Sequence, residues 1–95
     1  MPQVSYRGTS VARSDAVERV EGTTYFPRAD VEMGLLEPSA TAYTCPWKGD
    51  AQYYHLRIGD TQLEDAAWSY PEPKPAARAI AGHIAFDPGQ DLEIG

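Results

Sequence analysis

Two short stretches hold most of the side chains able to do chemistry. Cys45-Pro46-Trp47-Lys48-Gly49 sets a thiol, an indole and an ammonium close together, and Glu64-Asp65-Ala66-Ala67-Trp68-Ser69-Tyr70 combines two carboxylates with a second indole and a phenol. Both tryptophans of the chain lie in these stretches. Trp and Tyr offer flat apolar area with a polar edge, Lys a point charge and Asp an acceptor, a set that suits a planar, polar small ligand. The expected ligand-binding residues are therefore Trp47, Lys48, Tyr54, Asp65, Trp68 and Tyr70, with Cys45 nearby. The competing expectation is that the indoles are plain core, as large aromatics in a short chain often are.

The candidates for catalysis are Cys45, Asp65 and His83. A thiolate at Cys45 would be a nucleophile if Lys48 or an imidazole stabilised it, whereas a lone cysteine more often packs as a small hydrophobe. Asp65, on an inward face, either hydrogen-bonds to backbone amides or the Tyr54 hydroxyl, or lines a pocket. His55 opposite Glu64 reads as an acid–base pair or, more commonly, an exposed ion pair. His83 follows Gly82, where an imidazole caps the last carbonyls of a helix. No phosphate loop, dinucleotide fingerprint or zinc-protease helix occurs. One cysteine and two histidines do not make a structural zinc shell, so neither metal nor cofactor is expected.

These side chains need a scaffold, and turn chemistry supplies one. Gln3 to Arg7 and Ser10 to Arg13 form a hairpin around Gly8, Ala16 to Val20 reads as a strand in preference to a single helical turn, and Thr23 to Phe26 as a strand stopped by Pro27. Asp30 to Glu37 fits a helical turn or an irregular crossing segment ended by Pro38. Thr41 to Trp47, Ala51 to Ile58 and Thr61 to Tyr70 form a three-strand meander. Gly59-Asp60 is a two-residue hairpin loop of type II′, and it sets Ile58 opposite Thr61, Leu56 opposite Leu63 and Tyr54 opposite Asp65.

A two-residue loop within Lys48-Gly49-Asp50 places Tyr43, Cys45 and Trp47 on the face of Gln52, Tyr54 and Leu56. A regular strand then puts Trp68 on the face opposite Asp65. A pocket shared by them requires a bulge near Ala66-Ala67 or a cleft at the end of the sheet. Pro71, Pro73 and Pro75 enforce an extended segment, Pro75 opens a short helix over residues 75–81, and Gly82 stops it. His83 to Phe86 and Asp91 to Ile94 close the sheet around Asp87-Pro88-Gly89. The expected fold is mainly β, a small antiparallel β-sheet domain with one short helix.

At 95 residues the chain makes one domain, residues 1–95. A net charge of −6 is the wrong sign for neutralising phosphates, which argues against general nucleic-acid binding and leaves room only for a local basic pocket. Apolar runs of three or four residues fall far short of the ~20 of a bilayer span, so no membrane partner is expected. The first residues lack the basic start and apolar region of a secretory signal, and a cytoplasmic location follows as the expectation. A monomer and a homodimer are both compatible with the composition.

Several ordered motifs resemble one family. Tyr25-Phe26-Pro27-Arg28-Ala29-Asp30-Val31, Leu36-Glu37-Pro38-Ser39, the two stretches above extended to Pro71, and Ile80-Ala81-Gly82-His83-Ile84-Ala85-Phe86 are similar to domain of unknown function 427, over about residues 3 to 86. The resemblance implies a β-tent domain from a cytosolic bacterial, fungal or archaeal protein. The family also carries the label nucleotidyltransferase-like, which would imply Mg²⁺ held by Asp65 and Glu64. Adjacent residues of a regular strand point to opposite faces, however, and the Gly-Ser with spaced aspartates of many transferases is missing. Other β-tent domains use cysteine-bound zinc, an aromatic cage or a redox cysteine; this chain lacks the zinc cysteines and keeps the aromatics and one thiol.

Three functions follow as expectations. The first is binding of a small polar or nucleotide-like ligand in an aromatic-lined pocket. The second is an enzyme, nucleotidyltransferase-like or dependent on Cys45. The third is an interaction or dimerisation module without a small ligand, working through strand edges or an aromatic patch.

Overall fold

β-branched and aromatic runs, cut by Gly and Pro, pair into two antiparallel sheets. The computed structural model describes residues 1–95. The first hairpin joins β1 (Gln3–Tyr6) to β2 (Thr9–Arg13), and β9 (Glu93–Ile94) pairs with the other side of β1. The larger sheet contains β3 (Glu18–Val20), β4 (Thr23–Pro27), β5 (Leu36–Cys45), β6 (Gly49–Ile58), β7 (Thr61–Ser69) and β8 (His83–Phe86), in the order β3-β4-β8-β7-β6-β5. Residues 28–35 cross from β4 to β5, at the far edge of the same sheet, in two 3₁₀ turns, and Val31 bridges to Ala12 of β2 on the way, as an irregular crossing segment should. Pro38 does not end the crossing; it lies inside β5, an edge strand, where a residue without an amide is tolerated.

The Gly59-Asp60 loop behaves as its chemistry dictates. Gly59 has φ +58° while Asp60 keeps a negative φ, and Ile58 pairs with Thr61 and Leu56 with Leu63. The preceding turn differs. Its loop is the three residues Pro46-Trp47-Lys48, which pairs Cys45 with Gly49. An odd loop in place of an even one inverts the face of every residue before it. Tyr43 and Cys45 consequently share a face with Ala51 and Tyr53, away from Gln52, Tyr54 and Leu56. Gly49 has φ +113°, and a Cβ there would meet the Glu72 carbonyl at 3.3 Å, so this position requires glycine.

The expected helix near residues 75–81 is instead a 3₁₀ segment, Pro75–Ile80, broken at Ala77 (φ −118°, ψ 16°). Three prolines on alternate positions feed it from an extended chain, and six residues are too few to repay nucleation of an α-helix. It still buries Ala77 and Ile80.

The large sheet is apolar on both faces. One face carries Phe26, Tyr54, Leu56, Ala67, Ile84 and Phe86 against Val4, Val11 and Ala12 of the small sheet, with Phe26 and Phe86 edge to face at 6.0 Å. Burying a side chain such as Leu56 or Ile84 contributes roughly 1.5–3 kcal/mol. The other face carries Tyr25, Cys45, Ala85 and part of Trp68, and Tyr70, Ala77 and Ile80 cover them. That cover does not extend across the whole face: Tyr43 is 50% exposed. No helix is long and apolar enough to cross a membrane.

Candidate functional site

Two bulges flank β6. In β5, Ser39, Ala40 and Thr41 stand between Pro38, which pairs with Tyr54, and Ala42, which pairs with Gln52. In β7, Glu64, Asp65 and Ala66 stand between Leu63, which pairs with Leu56, and Ala67, which pairs with Tyr54. In each case three residues oppose one, leaving ladder groups without strand partners. Side chains of β6 satisfy them. Gln52 Nε2 donates to the Ser39 carbonyl at 3.2 Å and to the Tyr53 carbonyl at 2.7 Å, and His55 Nδ1 accepts the Asp65 amide at 3.1 Å. That bond leaves the ring proton of a neutral His55 on Nε2.

Asp65 is the point where the bulges meet. Its backbone is left-handed (φ +51°), a region that Asp enters more readily than most residues. Thr41 Oγ1 donates to Asp65 Oδ2 at 2.7 Å, while Oδ1 is buried, without a hydrogen-bond partner, 3.8 Å from His55 Nδ1. The hydroxyls of Ser39 and Thr41 hold the carboxyl below its ordinary value, against its partial burial and with help from His55. The turn after β8 clamps the bulge from the other side: the Asp87 amide donates to the Ala66 carbonyl at 2.8 Å, and Gln90 Nε2 to the Glu64 carbonyl at 2.7 Å.

Beside this bulge lies an aromatic platform. Tyr53 pairs with Trp68 across β6 and β7, their ring centroids 6.2 Å apart and tilted by 39°. Trp68 Nε1 donates inward to the Tyr25 hydroxyl at 3.4 Å, so the indole edge is tied to the core and part of its ring stays accessible. Tyr43 continues the platform onto β5. Burial, with the neighbouring Tyr43, Asp65 and Asp87, pushes the Tyr53 phenol above its ordinary value.

A second cluster lies under the 75–80 segment. Lys48, its side chain only 12% exposed, pairs with Glu21 and sits 4.9 Å from the Trp47 ring centre and 5.9 Å from that of Tyr70. Partial burial is the largest influence on the Lys48 ammonium and lowers its pKa, but the Glu21 hydrogen bond together with the charges of Tyr25, Cys45 and Glu21 more than offsets it, with a net rise. The Cys45 thiol is pushed up by burial but pulled further down by the amides of Trp47 and Lys48 and by the Lys48 charge. It is also 6% exposed, within the core. Burial drives the Tyr70 phenol well up.

The residues expected to form one pocket therefore divide three ways. Tyr54 lies in the core of the opposite face with Leu56, because the β7 bulge pairs it with Ala67 in place of Asp65. Trp47, Lys48 and Tyr70 belong to the cluster at the 46–48 loop. Asp65 and Trp68 come together on the platform through a bulge, the first of the two arrangements expected for them, centred one or two residues earlier than Ala66-Ala67. No cavity joins the two indoles. A cavity of about 90 Å³ lies between Val4, Phe26, Phe86 and Ile94, and an open groove of about 370 Å³ lies between Asp50, Gln52, Pro71 and Glu72. None of the six expected residues lines either one.

His83 Nδ1 lies 2.8 Å from the Ala81 carbonyl, a capping contact. His55 faces Asp65 in place of Glu64. Sequence reasoning missed Tyr53, Thr41 and Asp87. Tyr53 was within reach, since a three-residue loop at Pro46 turns it towards Tyr43; the Asp87 turn has no local signal tying it to the bulge.

The architecture is that of a mainly-β domain of two antiparallel sheets, with an aromatic and carboxylate-bearing face left partly uncovered. The chain belongs to the family described as Domain of unknown function (DUF427), NTP_transf_9, whose model matches residues 2–94. A comparison with curated proteins finds no match. The family label points to nucleotidyl transfer, which relies on carboxylates sharing a metal. Here no three His, Cys, Asp or Glu side chains are grouped to hold a metal ion, and Asp65 Oδ2 is taken by Thr41. Asp65 and Glu64 therefore do not fit a Mg²⁺ ion held for that reaction.

Proposed function

We propose that this domain binds a small polar ligand on the uncovered half of its second face, seated on Tyr53 and Trp68 with Asp65 at its edge. The observation that carries the reading is the bulge at Asp65. A carboxylate held in left-handed backbone beside a tilted aromatic pair, with one oxygen unpaired, is the kind of local cost that folds retain at functional positions. Two half-buried rings supply apolar area, and the tyrosine hydroxyls and carboxylates supply orientation. A nucleotide fits less well than an unphosphorylated ligand: its phosphates would face Asp65 and Asp87, and Lys48 lies in the separate cluster at the 46–48 loop, paired with Glu21.

The test is a thermal-shift screen of nucleosides, nucleotides, neutral sugars and small amines. A binder should raise the melting temperature of the wild type, and Trp68→Leu should abolish that rise while Trp47→Leu preserves it. A screen in which nothing stabilises the domain, or in which stabilisation survives Trp68→Leu, overturns the reading.

A further inference from the structure

We propose that the ligand of this platform is a small organic cation, a substituted ammonium group seated on the rings of Tyr53 and Trp68 and flanked by Asp65 and Asp87. The inference rests on the ligand-site reading above and adds the charge of the occupant.

The geometry starts from the rings. Tyr53 and Trp68 are both half-buried, with centroids 6.2 Å apart and planes inclined by 39°, so they present two π faces at an angle to one another. The negative face of an aromatic ring attracts ammonium groups, most strongly when they carry little water, as alkylated ammonium does. The indole N–H, the positive edge of the larger ring, is turned away to the Tyr25 hydroxyl.

The charges around the rings have one sign. The Asp87 amide is bonded to the carbonyl of Ala66, the residue after Asp65, so the two residues are neighbours in space, and the carboxylates of both bear on the Tyr53 phenol. Asp87 Oδ1 accepts the Gly89 amide at 2.8 Å, leaving Oδ2 for a ligand. Arg57, further along β6, pairs with Glu37 at 3.5 Å, and Lys48, in the cluster at the 46–48 loop, pairs with Glu21. His55 has its Nδ1 occupied by the Asp65 amide. The whole chain carries a charge of −6, which steers cations towards it. Neutral ligands gain nothing from this arrangement, and anions are repelled by it.

The experiment is calorimetric titration of the intact protein with choline and with its neutral isostere 3,3-dimethylbutan-1-ol, at low and high salt, in the wild type, Asp87→Asn and Trp68→Leu. Asparagine at position 87 keeps an acceptor for the Gly89 amide, so the turn is retained. Choline should bind at least tenfold more tightly than the isostere, weaken as salt rises, and lose several-fold in affinity in Asp87→Asn and all measurable binding in Trp68→Leu. Equal binding of the two probes that Trp68→Leu abolishes overturns the charge assignment and leaves the ligand site standing. Binding of neither probe, or choline binding indifferent to Asp87→Asn and to salt, also overturns the inference. The thermal-shift screen separately decides whether the platform binds anything else.

Discussion

Thr41 Oγ1 and Asp65 Oδ2 are joined at 2.7 Å although their strands, β5 and β7, do not pair. The bond passes over β6 and ties one bulge directly to the other. Each bulge is also anchored from within by a side chain of the strand between them, Gln52 on one side and His55 on the other. A kink that elsewhere would loosen a sheet is here a braced unit.

Removing that brace has a defined cost. Thr41→Val keeps the shape of the side chain and deletes the donor, and because the pair is largely exposed the loss of stability should be about 1 kcal/mol or less. The Asp65 carboxyl should also titrate at higher pH. Urea denaturation and NMR titration of the carboxyl carbon check the two effects together.

The same carboxyl sets an acid limit. Its folded pKa lies below its ordinary value of 3.8, so its contribution to stability is complete above that value and is lost as pH falls through the folded pKa. Asp65→Asn should therefore flatten the fall in stability below about pH 4 and leave the profile between pH 6 and 8 parallel to that of the wild type. Denaturation midpoints measured across pH 2 to 8 test the sign.

Gly49 ties the meander to the segment that covers the second core. Alanine there meets the Glu72 carbonyl and must adopt a φ near +113°, a region almost restricted to glycine. Gly49→Ala should cost about 2 kcal/mol. It should also raise amide exchange at Lys74, whose N–H donates to the Lys48 carbonyl at 2.9 Å. Exchange measured by mass spectrometry would locate the loosening.

Charges around Cys45 should move its thiol in opposite directions. Lys48→Met removes a stabilising cation and should raise the midpoint of thiolate absorbance at 240 nm, whereas Glu21→Gln removes an opposing anion and should lower it. Alkylation of the folded protein should be slow in both variants, since the thiol lies in the core.

Much of the scaffold was legible because local chemistry decides it. Gly59-Asp60 specifies its own turn and register, and Gly8 and Pro27 mark the hairpin and strand end they were expected to mark. Period-two alternation also required either a bulge near Ala66-Ala67 or a cleft at the end of the sheet to bring Asp65 and Trp68 together, and a bulge forms, over Glu64 to Ala66. The site failed to resolve where one residue of loop length matters. Reading a two-residue loop within Lys48-Gly49-Asp50 in place of the three-residue loop Pro46-Trp47-Lys48 turned Tyr43 and Cys45 to the wrong face and hid Tyr53. The bracing bonds from Gln52, His55 and Gln90 join segments distant along the chain, and nothing local announces them. The 75–80 segment shows the complementary limit: alanine-rich composition favours helix, yet the prolines leave room only for 3₁₀ turns.

The two indole N–H signals of ¹⁵N-labelled protein give the most direct test of the platform. In a titration with a compound selected by thermal shift, the account predicts saturable movement of the Trp68 indole and of the Tyr53 and Asp65 amides, with the Trp47 indole unmoved. Movement centred on Trp47, or on Val4 and Phe26 around the small cavity, would place the ligand elsewhere and contradict it.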